Sequence, residues 1–294
     1  MTILAALFSS TLAIMQVGPY TVPNPGGRTA RVPKPALEGR DTPKKSVAPL
    51  APVLPRPAIE TCYTRADIDP VAALSTADEA LTVKTGAEHT DALACRAIAL
   101  TALERYSEAE ADFIAARDAL PADDKRGRAE FQVGAAIAAD GRAAYTTAVD
   151  HFARAKALAK EAEDTVLVGR IARDSASSLY KLGRKDEAAA ALAEARAALP
   201  ADATTFVISA RAARLAGKLP EAQAFIEVAG RLDPLDLGIG LEAGLIAAMS
   251  GREDAARKSW QSVIATAPQS AEAEQAKAWL ARLSAPATAP AKAN

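Results

Sequence analysis

Apolar and polar positions in the second half of the chain alternate with a helical period. Ala222, Ile226 and Ala229 lie four and seven residues apart, which puts them on one face of a helix. The same order recurs as Ala188, Leu192 and Ala195, and again as Ala256, Trp260 and Val263. Between these stripes the pattern breaks regularly. Gly183, Gly217 and Gly251 each end a helix, because a residue without Cβ adopts the left-handed conformation freely. Pro200, Pro234 and Pro268 close the following helix, which proline cannot continue. In the unit ending at Pro234, one helix runs from Phe206 to Leu215 and Leu219-Pro220-Glu221 opens the second, with proline in a first turn that needs no donor. All three columns repeat at 34 residues. That period predicts a stack of helix pairs, each burying its apolar face only against its neighbours.

This pattern resembles the tetratricopeptide repeat, whose unit has the same length and the same order of small, aromatic and proline positions. An earlier copy has the family spacing at Tyr106, Ala109, Phe113, Ala116 and Pro121, with Ala97 and Leu100 in the preceding helix. Another, at Gly134, Tyr145, Ala148, Phe152 and Ala155, is stretched by 11 residues, with the excess expected in its loops and around Ala157 to Asp164. Of the first helices, only the one with Phe206 has the large aromatic the family often places near their start. A weaker copy spans Asp69 to Leu81, and Ala271 to Leu283 is expected to cap the stack through Ala276, Leu280 and Leu283. The resemblance, strongest over residues 90–270, implies an all-α, right-handed α-solenoid. It would have about five helix-turn-helix repeats and a C-terminal capping helix over residues 60–284, preceded by a disordered Pro-rich segment.

Composition agrees with helices. The chain is Ala-rich with 4% aromatic residues, and no run of alternating β-branched residues argues for a sheet. A net charge of −1 and a pI near 6.2 give no electrostatic case for nucleic acid. Residues 1–18 hold no Asp, Glu, Lys or Arg. Ile3 to Val17 is shorter than the roughly 20 residues of a spanning helix and suits the apolar core of a secretory signal, although no Lys or Arg precedes it. The expectation is export to the periplasm or beyond, with an uncleaved apolar anchor as one alternative and a cytoplasmic chain as the other. Residues 19–57 carry 10 of the 18 prolines, and seven Lys or Arg against Glu38 and Asp41. Residues 19–59 therefore read as a disordered basic linker, extended and polyproline-like, and 285–294 as a disordered tail.

The two cysteines, Cys62 and Cys95, admit two readings. In a reducing compartment they are small buried fillers. After export they can pair, stapling the N-terminal end onto the solenoid by closing a loop worth about 3–4 kcal/mol in the chain-entropy model.

Catalytic constellations are not found. His89 and His151 have no partner at metal-ligand spacing and read as solvated, and there is no HExxH, phosphate loop or GxSxG elbow. Gly238-Ile-Gly240-Leu-Glu-Ala243 satisfies a dinucleotide fingerprint, but it follows an inter-helix loop where that chemistry needs a strand. Acidic pairs such as Glu108/Glu110 lie two apart on a helix and read as surface solubility. The expectation is a non-enzyme with no cofactor and no metal.

The resemblance further implies a concave groove lined by the first helix of each unit. Carried onto this sequence, its candidates are Arg128, Phe131, Arg170, Arg173, Tyr180, Lys181, Arg211 and Arg214, with Ser177, Thr204 and Val207 among them. An apolar end follows at Leu241, Leu245 and Met249. Arginine holds carboxylates in bidentate fashion, so the expected partner is an extended or acidic peptide of another protein. Contact with a membrane would come only through the N-terminal segment. The competing reading is a binder of cell-envelope polymer, peptidoglycan or acidic polysaccharide, held by the basic linker and groove.

Overall fold

The computed structural model describes residues 57–284, with side chains from 61 to 283; the expected signal segment, nearly all of the linker and the tail lie outside the described residues. Thirteen helices and no strand occur among the described residues: α1 (Pro57–Ile68), α2 (Pro70–Val83), α3 (Gly86–Ala102), α4 (Tyr106–Ala119), α5 (Lys125–Gly141), α6 (Tyr145–Glu161), α7 (Thr165–Lys181), α8 (Lys185–Ala198), α9 (Ala203–Leu215), α10 (Leu219–Leu232), α11 (Leu237–Met249), α12 (Glu253–Thr266) and α13 (Ala271–Ser284). Consecutive helices pack on one another from α2 to α13, so this is the expected all-α solenoid with five helix pairs, α3/α4 to α11/α12. None of these helices is long and apolar enough to cross a membrane.

The repeated columns form the interior. Ala109, Ala148, Ala188, Ala222 and Ala256 are all buried where two helices cross, so a side chain larger than methyl has no room there. One turn on, Phe113, Phe152, Leu192, Ile226 and Trp260 fill the space between units. One turn further, Ala116, Ala155, Ala195, Ala229 and Val263 complete the buried stripe. Leu280, Leu283 and Trp279 of α13 pack onto the last cluster, with Trp279 stacked against Trp260 at 5.4 Å between ring centroids.

Local signals fix where each helix begins and ends. Side chains of Asp124, Asp164, Asp202 and Asp236 accept from the amides of Gly127, Leu167, Thr205 and Ile239, capping the first helices of four units. Such a cap is worth about 1 kcal/mol. At the turn inside each unit, Gly183, Gly217 and Gly251 have φ between +73° and +76°. The earlier units put Glu104 and Ala143 in that left-handed position, and Glu163 takes it between units. Gly134, read from sequence as part of the stretched copy, is instead in mid-helix, where an added Cβ would come within 2.6 Å of the Phe113 ring.

The 11 extra residues fall in helices and not in loops, and only the part at the end of α6 lies within the expected Ala157 to Asp164. α5, α6 and α7 are each 17 residues long, whereas α9 and α11 have 13 and α8, α10 and α12 have 14. The excess is an added helical turn in each of three helices, and the connections stay short. A whole turn returns the apolar stripe to the same face, so the columns keep their register. Lys125–Glu161 at 3.0 Å and Arg126–Asp164 at 3.4 Å tie the added turns together.

Candidate partner-binding groove

The first helix of each unit carries one stripe that was expected to line a groove. Counted back from the crossing alanine Ala188, that stripe on α7 is Arg170, Arg173, Ser177, Tyr180 and Lys181. The same offsets from Ala222 give Thr204, Val207, Arg211 and Arg214 on α9, and those from Ala256 give Gly238, Leu241, Leu245 and Met249 on α11.

Two expected groove residues require correction. The offsets from Ala148 give Glu130, Val133, Ile137 and Asp140 as the stripe of α5. Arg128 lies on the added turn, where its guanidinium donates to the Leu120 carbonyl at 3.1 Å and approaches Asp118 at 3.9 Å, so it braces the α4–α5 connection. Phe131 is 6% exposed and belongs to the buried cluster with Leu93, Ala94, Ile98 and Leu120.

Most of the groove's cations already have acids. Lys181 on α7 bonds Asp140 on α5 at 2.9 Å and lies 4.7 Å above the Tyr145 ring. Arg173 on α7 bonds Asp174 at 2.8 Å and Asp202, the cap of α9, at 3.0 Å. Arg211 and Arg214 on α9 reach Glu242 on α11 at 3.5 and 2.5 Å, and Glu242 is 3% exposed. The expected basic middle is therefore a row of ion pairs that ties each first helix to the next. Tyr180 packs with Leu179, Leu192 and Ile208, with the Lys185 ammonium 5.7 Å from its ring.

Two polar groups on α7 contrast with this row. Arg170 Nε and Ser177 Oγ are buried and have no hydrogen-bond partner. They stand seven residues apart, on the same face of the helix. Buried polar groups are almost always satisfied, so each calls for an acceptor from outside the chain. Toward the C-terminal end the stripe turns apolar, with Leu245 and Met249 half-buried and Leu241 buried.

No family model matches the chain, and no curated protein does. Solved structures match along most of its length. PilW, a widely conserved type IV pilus biogenesis factor, aligns with a TM-score of 0.60 at 22% identity, covering 74% of this chain and 96% of PilW. Pseudomonas aeruginosa pilF aligns at 0.55 and 12% identity, over 76% of this chain and 98% of that one. BtubC from P. vanneervenii gives 0.55 and 15%, over 76% and 92%. The fold is the tetratricopeptide repeat.

Two features of this repeat protein escaped the sequence reading. His151 is 5% exposed, not solvated. Its Nδ1 meets the amide of Gln132, whose oxygen accepts from Arg117, and its Nε2 lies 3.2 Å from Glu110, which in turn accepts from Arg142 at 2.7 Å. Glu110 is thus part of a polar chain joining α4, α5 and α6, whereas Glu108 stays at the surface with Arg105. Arg105 holds the Glu108 carboxyl below its ordinary range by hydrogen bonding, as Arg184 does for Glu187. The fingerprint at Gly238 and Gly240 lies in the first turn of α11, where a Cβ on Gly240 would meet Val263 of α12 at 2.6 Å, so Gly240 serves helix packing.

The second feature is α1. Cys62 was expected in a segment leading to the first weak helix, but it sits on a helix of its own. The Cys62–Cys95 disulfide joins α1 to α3 across a Cα–Cα distance of 5.3 Å. No apolar stripe in residues 57–68 marks that helix. Its signal was the pairing of the cysteines.

Proposed function

We propose that this chain is a non-catalytic scaffold that holds an extended segment of another protein in the groove formed by α7, α9 and α11. The repeat fold supports protein binding in general. The observation carrying the finer reading is the unpartnered pair Arg170 Nε and Ser177 Oγ on α7, followed two units on by the apolar stripe of Leu241, Leu245 and Met249 on α11. An extended peptide brings backbone carbonyls for the two donors and side chains for the apolar end. Because Arg173, Lys181, Arg211 and Arg214 are neutralised within the chain, acidity of the partner contributes little, and the same pairing weighs against an anionic polymer in the groove. The disulfide and the apolar N-terminal stretch together favour an oxidising compartment of the cell envelope.

Photo-crosslinking in the full chain tests this. A crosslinker replacing Arg170 or Leu245 should capture the same partner polypeptide in the native cell envelope, and one at the exposed outer positions Arg154 or Lys258 should not. Equal capture from both sets of positions would refute a groove-directed scaffold.

A further inference from the structure

The groove stripe is not open along its whole length. On α3, the offsets that place Arg173 and Ser177 on α7, and Leu241 and Leu245 on α11, fall on Ala94 and Ile98. Both are buried, in one cluster with Ala66 of α1 and with Phe131 and Ala135 of α5, and Cys62 packs against that cluster. The disulfide joins α1 to Cys95, the residue between those two stripe positions. Tyr63, also on α1, is close enough to Glu130 of the α5 stripe to feel its charge. Helix α1 thus lies on the N-terminal end of the same surface, at offsets where Arg173, Val207, Arg211 and Leu245 of later units stay part-exposed.

Its own hold on that surface is slight. Ala66 is the one buried side chain of α1 among residues 61–68, Tyr63 is 36% exposed and Ile68 80% exposed. A partly open pocket of about 290 Å³ lies beside the disulfide, lined by both cysteines, by alanines such as Ala77 and Ala92, and by Arg65, Lys84, Glu88 and Asp91. A 12-residue helix is at best marginal alone in water. The covalent bond keeps it in place, and the pocket leaves the bond within reach of a small reductant.

Resting on the groove reading, we propose that α1 is a latched plug in the N-terminal end of the groove, and that opening the Cys62–Cys95 bond frees the Ala94–Ile98 stripe for an apolar segment of the partner. The step requires a dithiol reductant. Its thiolate attacks one sulfur to give a mixed disulfide, and its second thiol resolves that intermediate. Cys62 and Cys95 leave as two thiols and the reductant leaves as a disulfide, a balanced transfer of two electrons and two protons. The vacated positions Ala94 and Ile98 are small and branched apolar side chains, with Asp91 one turn before them. They suit a short helix or strand presenting alanine- or valine-sized residues, with α1 itself as the model.

The test uses the full chain and a labelled synthetic peptide spanning residues 57–68 with serine in place of the cysteine. Oxidised wild-type protein should bind the peptide at least tenfold more weakly than protein reduced with dithiothreitol. A chain carrying Cys62→Ser and Ala66→Glu, whose own plug cannot seat, should bind it as tightly as the reduced chain or tighter. Circular dichroism of that variant reports whether α2–α13 remain helical. Equal binding by oxidised and opened chains, or no binding by a folded opened chain, would show that α1 is a fixed part of the solenoid and overturn the proposal. Crosslinking from positions 170 and 245 reads the groove without reference to the redox state, so the two ideas fail separately.

Discussion

Gly244 is the position where one added methyl group does most damage. It lies on α11 opposite Trp260 of α12, and a Cβ built there would come within 2.5 Å of the indole Cδ1 and Cε2 and closer still to Nε1. Ordinary contact requires about 3.5–4 Å, so the indole must retreat by more than an ångström. Trp260 is buried, stacks on Trp279, and donates from Nε1 to the Leu241 carbonyl at 3.2 Å, leaving little room for that movement. Overpacking a filled core costs about 1–3 kcal/mol, and losing the hydrogen bond adds about 1 kcal/mol. Alanine recovers about 1 kcal/mol of helix propensity over glycine, which leaves a net loss of about 1–3 kcal/mol for Gly244→Ala. For a domain of this size that corresponds to a fall in Tm of about 2–12 °C. Thermal unfolding by circular dichroism reads the loss, and a red shift of tryptophan emission in the native state reads the displaced indole. A Tm equal to or above wild type, with unchanged emission, would mean that propensity wins and that the α11–α12 contact is looser than described.

Ala222→Leu should lower stability by about 1–3 kcal/mol by overpacking the buried helix crossing, whereas Ala190→Leu on the exposed face of α8 should be nearly neutral; equal melting temperatures would undo the assigned register. Arg214→Ala leaves the 3% exposed Glu242 with only the longer Arg211 contact and should cost about 3 kcal/mol, part of which returns in the Arg214→Ala/Glu242→Ala double mutant, as denaturant titration would show. The Tyr63 phenol is pushed up to about 12, first by desolvation although the side chain is part-exposed, then by the charge of Glu130. Its folded value is raised, so the associated stability is complete below pH 10 and declines as the pH passes through about 12. The difference in alkaline absorbance titration between wild type and Tyr63→Phe should show this late phenol in the oxidised chain and an ordinary one after reduction.

The solenoid was legible because its determinants are local and repeated. Alanine at the crossing, a large residue one turn on and glycine at the turn each act within their own unit, so a period of 34 exposes them without any knowledge of distant contacts. The groove was legible only in part. Arg128 and Phe131 were misplaced because the stripe of α5 was counted two residues away from the offset to Ala148, a slip that leaves the helical pattern unbroken. The charges were misjudged for a different reason. Lys181 finds Asp140, Arg214 finds Glu242 and Arg173 finds Asp202 across 41, 28 and 29 residues, pairings that depend on how successive units dock. The buried state of His151 has the same origin, since Gln132 and Glu110 come from two other helices.

The added turns of α5, α6 and α7 act as a length code for this architecture. Each residue inserted into a helix rotates everything beyond it by about 100°, so three or four residues nearly restore the heading whereas one or two turn the buried stripe toward water. Like the 17-residue α3 before them, these helices exceed those of the later units by the increments the geometry forgives. Grafted binding segments should therefore be tolerated at the starts of α5 and α7 in steps of a full turn. A single-residue insertion at either place would put the columns on the two sides of it out of phase, splitting one continuous interior into two.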